Sequence, residues 1–232
     1  MVSSARSELL KPIALFAALD TAALRRVSEA ALIRETKAGA SFFREGDPAE
    51  SFFVVQTGSV KLTQVTPEGH QVVLRLIGPG DPFGGVAAFG GGAYPVSAEA
   101  VTDVSALEWP GPVMASLMEQ YPKLALNAVR FVAARLHELQ VQYRQLATEK
   151  VERRVARALL RLIEHVGRRT DSGILIDLPL SREDIAQMTG TTLYTVSRII
   201  SRFESDGLVE AGRQSIVIRN PDALTSLADD LG

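Results

Sequence analysis

From Val113 to about Ala147 the sequence has helical periodicity, and Ala125, Val132, Leu139 and Leu146 recur in it every seven residues. Val129, Leu136 and Tyr143 fall four residues after the first three of these. An alternation of three and four apolar steps is the seam of a coiled coil. Leu124, Ala128 and Phe131 form a second stripe on another face of the same helix. A helix with two apolar stripes has more to bury than one small domain covers. The second stripe is therefore expected to face its own chain and the seam a second copy, in a parallel homodimer. The alternative is a core helix packed wholly within one chain.

The segments on either side of this helix differ in kind. Residues 8 to 30 read as short helices, with Leu15, Phe16, Leu19, Leu24 and Val27 at helical spacings. Over residues 31 to 110, apolar runs such as "SFFVVQTGSVKLTQV" and "HQVVLRLIG" are cut by Gly39, "GDP", Gly58, "PEG" and "GPGDP". Closely spaced strands with turn residues between them predict an antiparallel roll, with "FGGG" at 89 to 92 as a loop. A break near Thr148 leads to the helix "TEKVERRVARALLRLIEHVG". A strand "ILIDLPL", two helices, a hairpin "LVEAGRQSIVIRN" and a last helix from Pro221 follow. The expected fold is α+β: helices and β-roll over 1–112, the dimerisation helix over 113–147 and a helical C-terminal domain over 148–232.

Composition removes several chemistries. With no cysteine in 232 residues, disulfides, thiolate nucleophiles, zinc-cysteine sites and cysteine-held iron–sulfur clusters are excluded. No P-loop, dinucleotide-type glycine loop, HExxH or GxSxG is present, and the chain is not expected to be an enzyme. Charges interrupt every apolar run before membrane-spanning length, and the start lacks a secretory pattern, so the cytoplasm is the expected compartment and no membrane partner is expected. The net charge is −2, and residues 149–232 hold 12 Lys plus Arg against 13 Asp plus Glu. Any nucleic-acid site must then be a local patch.

Such a patch is legible in "LSREDIAQMTGTTLYTVSRIISRFESDGLVE". Ser181 with Asp184 three residues on is a capping-box start, Gly190 supplies a tight turn, and Thr191 or Thr192 caps the next helix. Two short helices joined in this way make a helix-turn-helix, and the hairpin beyond reads as a wing. Val196, Ile199, Ile200 and Phe203 recur at core spacing, leaving Leu193, Tyr194, Ser197, Arg198 and Arg202 toward the front. Arg198 could donate two hydrogen bonds to guanine O6 and N7. Arg182, Thr192, Thr195, Arg202 and Arg213 at the wing tip are candidates for phosphate. Each has a plainer role open to it: the arginines as surface ion pairs, Thr192 as a cap only, Tyr194 as packing against the wing.

The order of roll, long helix and winged helix-turn-helix, with "FREGDPAESFFVVQTGSVKL" and "LIGPGDPFGGVAAFGGGAYPVSAEAVTDVSALEW", resembles the Crp/Fnr family of bacterial transcription regulators over about residues 10 to 225. The resemblance implies a cyclic-nucleotide-binding-like roll, a homodimer on near-palindromic promoter DNA, an effector at the roll and contact with RNA polymerase. It places the family's base-contacting arginine on Arg198 and the preceding serine on Ser197. Its usual glutamate falls on Tyr194, a departure that leaves part of the half-site open. The effector pocket would involve Gly84, Gly85, Val86, Val96, Ser97, Leu139 and Gln140. Gly85 stands where the ribose-binding glutamate would be, no arginine lies near Pro95 to Ser97, and Leu139 and Gln140 replace the adenine-contacting pair, which argues against cyclic AMP. Haem held by a histidine, His70, His137 or His165, stays open, as do another small ligand and activity without an effector. The competing function is an effector-binding module that acts through protein contacts without specific DNA readout.

Overall fold

The computed structural model describes residues 2–69, 71–85, 91–212 and 214–229. By contact the chain groups into two units, residues 1–60 with 78–140 and residues 61–77 with 141–232. No helix among the described residues is long and apolar enough to cross a membrane.

The first unit opens with α1 (Val2–Leu10), a 3-10 turn (Ala14–Phe16) and α2 (Thr21–Glu29). Asp20 caps α2, its carboxylate accepting from the Ala23 N–H at 2.7 Å. The strands β1 (Leu32–Thr36), β2 (Ser41–Phe43), β3 (Ser51–Thr57), β4 (Val60–Val65), β5 (Gln71–Ile77), β6 (Pro82–Phe83), β7 (Ser97–Ala100) and β8 (Val104–Pro110) follow. β1, β8, β3 and β6 form one antiparallel sheet in that order, with Val54 opposite Leu107, and β2 pairs antiparallel with β7. β3 is buried at five successive positions, Ser51 to Val55, so it reads as a continuous apolar run rather than an alternating one. At the turn after it, Gly58 has φ +83° and lies so near Asp103 that a Cβ would stand 2.3 Å from its carbonyl oxygen. Only glycine fits there.

The helices cover the outer face of this sheet. Trp109 is fully buried, its ring 5.9 Å from Phe16 and 5.8 Å from Phe52, and its indole N–H donates to the Val27 carbonyl at 2.8 Å. Leu10, Leu15, Leu107, Met114, Leu124 and Ala128 complete that core. α3 (Gly111–Gln120) ends at Tyr121, and Pro122 opens α4 (Pro122–Thr148). The helical stretch expected from Val113 is therefore two helices, because proline lacks the N–H that would continue the first. Of the second stripe, Leu124 and Ala128 join the core as expected, while Phe131 is half-buried. Asn127 donates to the carbonyls of Ala17 at 2.7 Å and Leu15 at 3.2 Å.

A second cluster is aromatic. Phe43 stacks on Tyr94 with centroids 3.6 Å apart, and Phe53 on Phe83 at 4.9 Å. The Tyr94 hydroxyl donates to the Ser51 carbonyl at 2.7 Å and accepts from the Ser51 N–H at 2.9 Å. Burial pushes the Tyr94 phenol above its usual range, against the opposing pull of those backbone bonds.

The second unit holds the β4–β5 hairpin over residues 61–77, the last turns of α4, and α5 (Val151–Val166), β9 (Gly167–Thr170), β10 (Gly173–Ile176), α6 (Arg182–Thr189), α7 (Leu193–Ser205), β11 (Val209–Ala211), β12 (Ile216–Ile218) and α8 (Pro221–Asp229). The strands form one sheet in the order β11-β12-β10-β9. β9, "GRRT", was not expected from the sequence. It has no apolar alternation and exists because an edge strand needs only backbone pairing, here with β10. α5 buries Val155, Ala156, Ala158, Leu159 and Leu162 and packs against α6 and α8. The break before it falls at Lys150, which is extended with ψ 146°. β5 packs against α6, with the Lys61 Nζ 3.9 Å from Asp184 Oδ1.

Candidate nucleic-acid interface

The helix-turn-helix is built by local chemistry. Ser181 Oγ accepts from the Asp184 N–H, and Asp184 Oδ2 accepts from the Ser181 N–H, each at 3.0 Å. This reciprocal box satisfies two of the orphan donors of α6. Gly190 closes the helix in the left-handed region, with φ 60° and ψ 48°. Thr192 then caps α7, its hydroxyl accepting from the Thr195 N–H at 3.2 Å, and the two threonine hydroxyls lie 3.0 Å apart.

Burial fixes which way α7 turns. Val196, Ile200 and Phe203 are fully buried and Ile199 half-buried. Burying each such side chain stabilises by about 1.5–3 kcal/mol, so rotation of α7 about its axis is strongly disfavoured. The opposite side carries the residues singled out from the sequence. Leu193 is 48% exposed and Tyr194 74%. Arg198 is exposed and has no ion pair among the described residues, while Ser197 and Thr195 flank it half-exposed. Arg182, the first residue of α6, is also half-exposed.

Arg202 is engaged differently. Its guanidinium lies 3.3 Å from Glu152 and 3.7 Å from Asp206. Such an exposed pair is worth about 0.2–1 kcal/mol, so a phosphate can displace it at small cost. Arg213 lies outside the described residues, as do Val86 and His70.

The seam of α4 is bare on one chain. Val129, Val132, Leu136, Leu139, Tyr143 and Leu146 are between 49% and 76% exposed, and Ala125 is half-buried. Among the effector candidates, Gly84 has φ +71° and a Cβ there would stand 2.7 Å from the Ser51 carbonyl oxygen. Gly85 and Val96 are half-buried, and the Ser97 hydroxyl already accepts from the Glu45 N–H at 2.9 Å. Leu139 and Gln140 are exposed on α4. None of these positions is a cation of the kind that pairs with a bound phosphate. His137 and His165 are exposed, and no group of His, Asp and Glu able to hold a metal occurs among the described residues.

One residue escaped sequence reasoning. Arg154 on α5 donates from Nε to the Thr189 carbonyl at 3.0 Å and from Nη1 to the Glu149 carbonyl at 2.7 Å. It ties the break after α4 to the end of α6. The basic run "ERRVAR" beside that break was the available signal, but nothing in the spacing said which arginine turns inward.

A family model described as the cyclic nucleotide-binding domain matches residues 33–121, and one described as the Crp-like helix-turn-helix domain matches residues 153–227. The chain is 30% identical to the transcriptional activator protein Anr of Pseudomonas aeruginosa over 195 residues, 84% of this chain and 80% of that protein. It is 25% identical to the CRP-like cAMP-activated global transcriptional regulator of Mycobacterium tuberculosis over 95% of this chain and 99% of that one. Among solved structures it is similar to FixK2 from Bradyrhizobium japonicum, with a TM-score of 0.77, 26% identity and coverage of 87% of this chain and 99% of that one.

Proposed function

The chain belongs to the Crp/Fnr family of transcription regulators, and on that premise we propose that it acts as a homodimer that reads a near-palindromic promoter site and contacts RNA polymerase there. The observation that carries this is the state of α7. One face is locked into the core by Val196, Ile200 and Phe203, and the other presents Arg198 exposed and unpaired among the described residues. Arg198, Ser197, Tyr194 and Leu193 then face base edges. Arg182, Thr192, Thr195, Arg202 and Arg213 hold phosphates, an arrangement in which phosphate contacts position the protein and base contacts specify the sequence.

In this proposal residues 1–112 form the sensor, 113–147 the dimerisation helix and 148–232 the reading head. The bare seam supports two copies joined along α4, which sets two reading heads on one duplex. The roll answers to a ligand other than a cyclic nucleotide, or to none. Selection from a random duplex library with protein purified without effector tests the proposal. A two-fold palindrome with half-sites about one helical turn apart is the expected product. Enrichment of no sequence, with the dimer intact, would favour the effector module that acts through protein contacts.

A further inference from the structure

The first turn of α7 places two large apolar side chains in solvent side by side, Leu193 at 48% and Tyr194 at 74% exposure. Burial of Val196, Ile200 and Phe203 holds them there, so neither can fold back into the core. Tyr194 lies four residues before Arg198, one turn along the same face. At 1.5 Å rise per residue the two side chains leave the helix about 6 Å apart. Base pairs step by about 3.4 Å, so a helix lying along the major groove sets Tyr194 about two base pairs from the pair under Arg198.

The chemistry of the two positions differs. Arg198 brings a planar fork suited to guanine. Tyr194 brings neither a fork nor a carboxylate, so it cannot make a two-point contact with a base edge. It offers an apolar ring with a single hydroxyl at its tip. In the major groove the apolar feature of a base edge is the C5 methyl of thymine. We propose that Tyr194, with Leu193 beside it, is a specificity-determining residue that selects thymine through its methyl group about two base pairs from the guanine read by Arg198. This rests on the assignment of α7 as the reading helix and names what its first turn reads.

The experiment is chemical substitution in the selected duplex. The site enriched from the random library is synthesised with deoxyuridine in place of that thymine, and separately with cytosine or 5-methylcytosine there. Affinities are measured by titration of labelled duplex at one fixed salt concentration. Removing one buried methyl is expected to weaken binding about fourfold. 5-Methylcytosine should bind better than cytosine by a similar factor. Tyr194→Ala should bind thymine and deoxyuridine duplexes alike, and Tyr194→Glu should move the preference to cytosine, whose N4 donates to a carboxylate.

Equal binding of thymine and deoxyuridine duplexes by the unaltered protein overturns the proposal. So does a Tyr194→Ala loss that is uniform over all sequences, which would place the ring on the sugar–phosphate backbone. An enriched palindrome with guanine under Arg198 but no preference two pairs away overturns this inference and leaves the DNA-reading assignment intact. Failure to enrich any site overturns both. Unchanged circular dichroism and dimer mass of the variants separate these outcomes from misfolding, and because Tyr194 is exposed its replacement should leave the urea midpoint unchanged.

Discussion

The Arg154 guanidinium donates to the Thr189 carbonyl at 3.0 Å, joining the start of α5 to the last residue of α6. The same side chain donates to the Glu149 carbonyl at 2.7 Å, so one guanidinium satisfies carbonyls at the end of the helix-turn-helix's first helix and at the break after α4. Carbonyls at helix ends lack intrahelical partners, and a guanidinium is a suitable donor for two of them at once.

Arg154→Ala is therefore expected to cost about 1.5–3 kcal/mol, the range for hydrogen bonds to a charged group. Arg154→Lys should recover only part of this, since an ammonium lacks the fork. Urea unfolding of the three proteins checks the order; equal midpoints would show the clasp to be inert.

Gly190 has φ 60°, and a Cβ there would stand 2.8 Å from the Leu146 Cδ1. Gly190→Ala should destabilise by about 1–2 kcal/mol from the backbone conformation alone. The methyl conflict adds to this, but only modestly, because the atom met is the tip of a flexible side chain. In a Leu146→Ala background the conflict disappears and the backbone cost stays. A double-mutant cycle measures the difference as a coupling between the seam's last residue and the turn.

Arg198→Ala is expected to lose about 1–3 kcal/mol at the selected site and to relax one base pair, while Arg182→Ala weakens all sequences and flattens the salt slope. Binding isotherms on selected and scrambled duplexes across a salt series distinguish the two. Identical behaviour of the two variants would end the division between base and phosphate contacts.

Val132→Glu or Leu139→Glu places a charge in the middle of the exposed seam. Sedimentation should then show a monomer, with affinity for the palindrome lowered about tenfold or more as the linked second half-site is lost. A monodisperse dimer after either change would put the interface elsewhere.

Burial holds the Tyr94 phenol above its usual range, so the folded state keeps that proton more tightly than the unfolded chain does. The contribution to stability is complete below about pH 10 and declines as the pH rises through that value toward the folded pKa. Tyr94→Phe should remove this alkaline dependence. It should also cost about 1–3 kcal/mol at neutral pH, because the Ser51 N–H and C=O lose their shared partner. Urea midpoints from pH 8 to 11 test both halves.

Local chemistry by itself determined much of this protein. The capping box at Ser181, the left-handed Gly190, the Thr192 cap and the buried Val196, Ile200 and Phe203 each depend on residues within a turn or two, so their pattern is complete in the sequence. The two stripes of α4 were legible for the same reason, since helical spacing alone separates Leu124 and Ala128 from Val132 and Leu139. The tertiary structure decided what depends on distant chain. It formed β9 from an unpatterned "GRRT" by pairing it with β10, stacked Phe43 on Tyr94 and turned Arg154 inward while it left Arg198 exposed. An arginine's role depends on which carbonyl or carboxylate comes within about 3 Å of it, and that distance is set by packing between segments many residues apart, which no local spacing records.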